Sequence, residues 1–194
     1  GGVQHVKGFQ NRKAKAIKNF EPVVETYEKM KAAGLNMEIF SGGGTGTYNI
    51  MSNFPGFTDV QVGSYLFMDR QYMVIGGANN ENVYDDFVPS LTVMTTIINT
   101  NHPGRLITDS GAKSLTLNRP KAMVIGEPGF IYSAGSDEYG TIKFEESSRS
   151  YKVGDKLEVI IPHCDPVINL YDVMYGIRND KVESVIPILA RGKS

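Results

Sequence analysis

The stretch Met37-Glu38-Ile39-Phe40-Ser41-Gly42-Gly43-Gly44-Thr45-Gly46-Thr47 decides the reading of this chain. Its short apolar run predicts a strand that passes directly into a loop with glycine at 42, 43, 44 and 46. Glycines let backbone N–H groups approach an anion without a Cβ in the way. Ser41, Thr45 and Thr47 add hydroxyls. The loop has neither the Gly-Lys-Ser/Thr ending of a P-loop nor the Gly-x-Gly-x-x-Gly spacing of a dinucleotide fingerprint. Taken alone, it reads equally as a flexible turn. A second strand-like run, Val60-Gln61-Val62, leads into Gly63-Ser64-Tyr65. Two successive strands that each end in a small-residue loop match the phosphate site of a β/α barrel, built after its seventh and eighth strands.

Upstream, residues 9–34 predict a helix, because Ile17, Phe20, Val24, Tyr27, Met30 and Ala33 recur at steps of three and four. Gly34 suits the C-cap, and Pro22 predicts a kink or a break. Downstream of about residue 76 the pattern changes to short β-rich runs, at 91–99, 105–108, 123–125, 130–132, 141–144, 157–161, 173–178 and 182–190. Turn signals such as Asn101-His102-Pro103-Gly104 separate them. The expected organisation is residues 1–76 as part of an α/β barrel and residues 77–194 as an all-β module, a barrel or sandwich. A complete β/α barrel takes about 250 residues, so only its last part is expected here and the chain reads as truncated. Met30, Met68, Met94 and Met123 fall at apolar positions and are expected in the core.

Composition bounds the function. The 194 residues carry 20 Lys+Arg against 21 Asp+Glu, for a net charge of −1, with no basic stripe interleaved with aromatics. Nucleic acid is therefore not an expected partner. No run of about eighteen apolar residues is present to span a membrane. The opening residues, Gly1-Gly2-Val3-Gln4-His5-Val6, lack the basic and apolar regions of a secretory leader. The single cysteine suits a reducing compartment, and a cytoplasmic location is expected.

A second motif, Ile160-Ile161-Pro162-His163-Cys164-Asp165-Pro166, sets three metal-competent side chains at a strand end. In extended chain His163 and Asp165 share a face and Cys164 takes the other. Imidazole plus carboxylate suits Zn²⁺, Mn²⁺ or a similar ion. The alternative is a polar turn, since zinc sites take three or four protein ligands. His5 and His102 read as structural and solvated residues. Asp109, Lys113 and Ser114 either form a turn with a salt bridge or line a site.

Together these motifs resemble the pyridoxal-phosphate enzymes of the D-threonine aldolase and D-serine dehydratase family, whose barrel is alanine-racemase-like. The resemblance rests on Gly2-Val3-Gln4-His5, the 41–47 loop, Gln61 to Asp69 with Tyr72, Asp109 to Ser114, Pro162 to Pro166 with Asn169 to Asp172, and Ala190-Arg191-Gly192. Within the family, 3-hydroxyaspartate aldolases look most similar. The fold it implies is the last part of an alanine-racemase-like β/α (TIM) barrel followed by a C-terminal β-barrel domain. Ser41, Gly43, Gly44, Thr45, Gly63 and Ser64 would hold the cofactor phosphate, and Gln61 would lie towards the pyridine nitrogen. His163 and Asp165 would bind a divalent metal (Mn, Mg or Zn). Dehydratases of the family resemble His-x-Cys at this place and aldolases His-x-Asp, so the resemblance implies cleavage of a 3-hydroxy-D-amino acid to glycine and an aldehyde or glyoxylate. A homodimer is the expected assembly. The family's Schiff-base lysine lies in an Arg-Pro-His-x-Lys-Thr-His motif that these residues do not contain, so no catalytic residue is assigned and the chain alone is expected to be inactive. Val167 and Tyr139 also depart from the family's usual Thr and His.

Overall fold

A computed structural model describes residues 2–192. The chain forms two compact units, Gly1–Val88 and Pro89–Ser194.

In the first unit, α1 spans Phe9–Ala32 and contains Pro22. Its buried residues are Arg12, Ala16 and Tyr27. Met30, expected inside, is 39% exposed: the helix has turned it past the edge of the buried stripe. Gly34, at φ +82°, takes the left-handed conformation that ends the helical run. The strand expected at 37–40 begins later. β1 is Ser41–Gly42 and pairs in parallel with β2, Asp59–Val60. Residues 37–40 are held differently, through Tyr27 Oη–H donating to Met37 O at 3.1 Å and Thr58 N–H donating to Phe40 O at 2.9 Å. Tyr27 stacks on Phe40 at 4.3 Å between ring centroids, and Phe20, Phe54 and Phe57 close that core. Parallel neighbours need a crossover. Here it holds a 3₁₀ turn at Thr45–Thr47 and the short helix α2, Tyr48–Met51. After β2 come a 3₁₀ turn at Ser64–Leu66 and α3, Arg70–Met73, which Asp69 caps by accepting from Tyr72 N–H at 3.1 Å. Met68, Tyr72, Ile75 and Tyr84 form a second buried cluster.

The second unit contains β3 (Thr92–His102), β4 (Arg105–Thr108), α4 (Ala112–Leu115), β5 (Met123–Val124), β6 (Ile131–Ala134), β7 (Gly140–Lys143), β8 (Lys156–Ile160) and α5 (Cys164–Ile168). Six strands make one antiparallel sheet in the order β5-β8-β3-β4-β7-β6, nearly closed because its edge strands β5 and β6 approach each other. Period-two alternation fills it: Ile97, Leu106, Val124, Tyr132, Ile142, Leu157 and Val159 point inward. Met94 was expected in the core but is 64% exposed, on the outward phase of β3 beside buried Thr95 and Ile97. Met68, by contrast, is fully buried. β9 (Val173–Arg178) and β10 (Lys181–Pro187) form a separate antiparallel hairpin.

Candidate functional site

β1 and β2 lie side by side in parallel, so the loops that follow them leave the same end of the strand pair. Gln61 N–H donates to Gly42 O at 3.0 Å and carries the pairing one residue further. Gly43, at φ +72°, then turns the first loop sharply. The loops are tied together: Thr45 Oγ1 accepts from Tyr65 N–H at 3.1 Å, with Thr45 buried. Gly63 precedes the Ser64–Leu66 turn, and the first N–H groups of a helical turn have no partner within it. Apart from Gly63's own chain neighbours, no heavy atom of the described residues lies within 4 Å of where a Cβ on Gly63 would stand. This open approach at Gly63 leaves room for a phosphate group.

The glycines of the first loop serve a different need. A Cβ on Gly46 would stand 2.2 Å from Gln4 O, and one on Gly44 would stand 2.2 Å from Gln4 Oε1. Gly46 is therefore demanded by the Gln4 backbone packed against the loop, while Gly44 faces the movable end of the Gln4 side chain. Ser41 is turned aside: its hydroxyl donates to the Asp59 carboxylate, which also accepts from Thr58 Oγ1 at 2.8 Å. Those bonds from Ser41 and Thr58 hold the Asp59 carboxyl below its usual range. Gln61 is exposed.

Sequence reasoning missed Arg12. Its side chain is completely buried and gives four hydrogen bonds to backbone carbonyls. Nε–H donates to Gly46 O at 2.6 Å, Nη1 to Val6 O at 2.9 Å and Ile75 O at 3.0 Å, and Nη2 to Gly76 O at 2.7 Å. Burial pulls the guanidinium below its ordinary value, offset in part by Tyr84, Glu81 and Asp86. Tyr84, whose ring centroid lies 5.8 Å from the Arg12 guanidinium carbon, donates its hydroxyl to Thr45 O at 2.6 Å. Burial pushes the Tyr84 phenol far up, so it stays a donor. The signal was present in sequence: Arg12 lies four residues before buried Ala16 on the same helical stripe.

In the second unit, β8 runs into the His-Cys-Asp turn. The chain is not extended through it. His163, at φ −150°, is the N-cap of α5, and Cys164 and Asp165 already belong to the helix. The two expected ligands still converge, with His163 Nε2 3.7 Å from Asp165 Oδ2. An ion about 2.0–2.2 Å from each donor would set them about 3.0–3.4 Å apart, so a small rotation of the exposed Asp165 side chain suffices and a divalent ion fits. Cys164 is buried and donates to Asp165 Oδ1 at 3.1 Å.

The remaining candidates take structural parts. His5 packs its ring 4.7 Å from that of Tyr72. His102 is exposed at the end of β3. Asp109 accepts from Thr95 Oγ1 and Thr96 N–H, both at 2.8 Å, and Lys113 pairs with Glu138 at the surface.

The family model described as "Putative serine dehydratase domain" matches residues 90–177. Over 194 residues, all of this chain and 50% of the relative, the chain is 36% identical to the 3-hydroxy-D-aspartate aldolase of Paracoccus denitrificans (strain Pd 1222). The crystal structure of D-threonine aldolase from Filomicrobium marinum superposes with a TM-score of 0.91 at 28% identity, over 99% of this chain and 52% of that one.

The chain is similar to the C-terminal portion of the D-threonine aldolase and D-serine dehydratase family. It spans about half the length of the curated relatives it matches. An alanine-racemase-like protein from Idiomarina loihiensis shares the fold, with a TM-score of 0.79 at 21% identity over 96% of this chain and 53% of that one. The fold class is thus that of the family: the last part of an alanine-racemase-like β/α barrel followed by a C-terminal β-barrel domain. Among the described residues, no helix is long and apolar enough to cross a membrane.

Proposed function

We propose that this chain supplies the phosphate cradle and the metal motif of an aldolase that uses pyridoxal phosphate and a divalent metal to cleave 3-hydroxy-D-amino acids. The products are glycine and an aldehyde, or glyoxylate when the substrate is a 3-hydroxyaspartate. The observation that carries the reading is the pair of tied loops after two parallel strands, with Gly63 open to an approaching anion. The similarity to 3-hydroxy-D-aspartate aldolase over the whole chain supports this reaction class.

The amides of Gly63 and Ser64, with the Gly43–Thr45 loop beside them, bind and orient the phosphate. Gln61, exposed one residue beyond the β1–β2 ladder, would lie towards the cofactor's pyridine nitrogen. Pyridoxal phosphate supplies an electron sink for the charge left at the substrate Cα when the Cα–Cβ bond breaks. His163 and Asp165 hold the divalent ion, which lowers the pKa of a substrate hydroxyl. Manganese, magnesium and zinc all suit this nitrogen and oxygen pair. The chain works as a homodimer in the cytoplasm, on a small 3-hydroxy-amino-acid substrate. The Schiff-base lysine comes from outside these residues, in the part of the relatives that this chain does not cover.

A dehydratase reading is favoured by the serine dehydratase description of the domain at 90–177 and by a weaker similarity, 25% over 162 residues, to a D-threo-3-hydroxyaspartate dehydratase. Asp165, where the dehydratases resemble His-x-Cys, favours the aldolase.

The test is an absorbance titration of the chain with pyridoxal phosphate and with pyridoxal, followed by borohydride and intact mass. Saturable, non-covalent binding that requires the phosphate supports the reading. Equal affinity for both compounds overturns the cradle. A reduced adduct on one lysine of this chain overturns the assignment of that lysine elsewhere.

A further inference from the structure

The buried Arg12 has no part in the family pattern that the sequence suggested, and its bonding gives it a task. We propose that Arg12, with Tyr84, is a positioning residue that sets the glycine loop for phosphate binding. The proposal rests on the phosphate-cradle reading above.

The argument begins with peptide geometry. In a trans peptide the C=O and the following N–H point in opposite directions across one plane. Thr45 O is held by the Tyr84 hydroxyl at 2.6 Å and Gly46 O by Arg12 Nε at 2.6 Å. The first bond turns the Gly46 N–H to the opposite side of its plane. The second does the same for the Thr47 N–H, which donates to Gly44 O at 2.9 Å and closes the turn. Without these anchors, two buried carbonyls would have to rotate towards other donors and would carry the amides with them.

Among the described residues, every hydrogen-bond acceptor of the Arg12 guanidinium is a carbonyl, and none is a carboxylate. A buried cation normally has an ionic partner. Glu81 and Asp86 act on this charge only through space, so the guanidinium's hydrogen bonds are all spent on holding backbone around the loop. Arginine is suited to this task because its planar fork reaches the segments at 6, 46 and 75–76 together. Lysine keeps the charge but has only three donors on one atom and cannot span them.

The experiment measures the affinity of the 194-residue chain for pyridoxal phosphate and for pyridoxal, and takes the ratio as the phosphate preference. Three proteins are compared: the parent chain, Arg12→Lys and Tyr84→Phe. Near-UV circular dichroism establishes that each variant is folded. The expected result is a fall in the preference of about tenfold in both variants, as for the loss of one hydrogen bond to a charged group, with pyridoxal affinity unchanged. A merely structural role would leave the ratio unmoved. If a folded variant keeps the parent ratio, the proposal is overturned. Should Arg12→Lys fail to fold, Tyr84→Phe alone decides, and an unchanged ratio there overturns it equally. A parent chain with no preference for the phosphate compound would instead sink the cradle reading itself, which separates the two failures.

Discussion

Alanine substitution at the loop glycines separates two physical demands that look identical in the sequence. At Gly46 a new Cβ would stand 2.2 Å from Gln4 O and 3.0 Å from Gln4 C, both backbone atoms in a buried setting. Backbone cannot rotate away as a side chain can, so Gly46→Ala forces the Gln4 segment off the loop. Overpacking of this kind costs about 1–3 kcal/mol, which for a chain of this length lowers the unfolding midpoint by roughly 2–4 °C per kcal/mol. At Gly44 the Cβ would meet the Gln4 side-chain amide at 2.2 Å, an end that can swing aside. The loss there should be smaller, at the lower end of the same range. At Gly63 there is open space, so Gly63→Ala should leave stability unchanged or raise it by up to about 1 kcal/mol through the unfolded chain. It should nonetheless weaken pyridoxal phosphate binding, because the methyl group stands where the phosphate approaches. Thermal and urea unfolding of the three variants, with absorbance titration of each, gives the ranking. Equal destabilisation at 46 and 63, or intact phosphate binding in a stable Gly63→Ala, would refute the division of labour.

Thr45→Val keeps the volume but removes the oxygen that accepts from Tyr65 N–H; it should cost about 1–3 kcal/mol and loosen the second loop, seen as faster hydrogen exchange at the Tyr65 amide. Asp165→Asn should reduce Mn²⁺ affinity measured by calorimetry without shifting the unfolding midpoint, since the Asp165 side chain is 76% exposed; unchanged affinity would remove the residue from the metal motif. In the β-barrel unit, burial pushes the Glu127 carboxyl up, but bonds from the Ser148 and Tyr151 hydroxyls and the Ser148 amide, with Arg149 nearby, hold it below its ordinary value. A depressed folded pKa contributes stability above the unfolded value, about 4.3, and that contribution is lost as pH falls through the folded value. Glu127→Gln should therefore flatten the acid limb of the stability curve below that pH. Ile142→Ala, at a fully buried barrel position, should cost about 2–5 kcal/mol in urea unfolding.

Much of the architecture was legible because it is written in local periodicity. A helix expected at 9–34 forms over Phe9–Ala32, and the strands at 105–108 and 173–178 follow from apolar spacing and turn residues alone, whereas the second compact unit begins at Pro89 rather than at the expected change near residue 76. The first strand was misplaced because a strand is defined by its partner. Met37 to Phe40 have the right composition, yet the ladder with Asp59–Val60 forms only at Ser41–Gly42. Met94 was misread because its phase along β3 depends on which face closes the barrel, and an apolar side chain alone does not carry that information. His163 and Asp165 were legible as a pair because they are near neighbours in sequence. The helical N-cap at His163 changes the backbone between them without separating them.

The glycine loop shows where local reading stops. Its residue types announce an anion site, but its geometry is assembled from elsewhere in the first unit. Gln4 fills the space that Gly44 and Gly46 leave, and its amide oxygen accepts from the Tyr72 hydroxyl at 3.1 Å. Arg12, Ile75 and Gly76 meet behind the loop, while Gly8 N–H donates to Ile75 O at 2.8 Å and fixes the entry to α1. The Arg12 and Gly8 contacts satisfy backbone carbonyls that, left buried and unpaired, would cost about as much as a lost hydrogen bond. A loop can aim its amides at an anion only when its carbonyls are already satisfied on the other side, and charged or phenolic donors do this most strongly. The residues that make such a loop work are therefore found by asking what its carbonyls bond to. That question leads from Gly46 to a buried arginine 34 positions earlier in the chain.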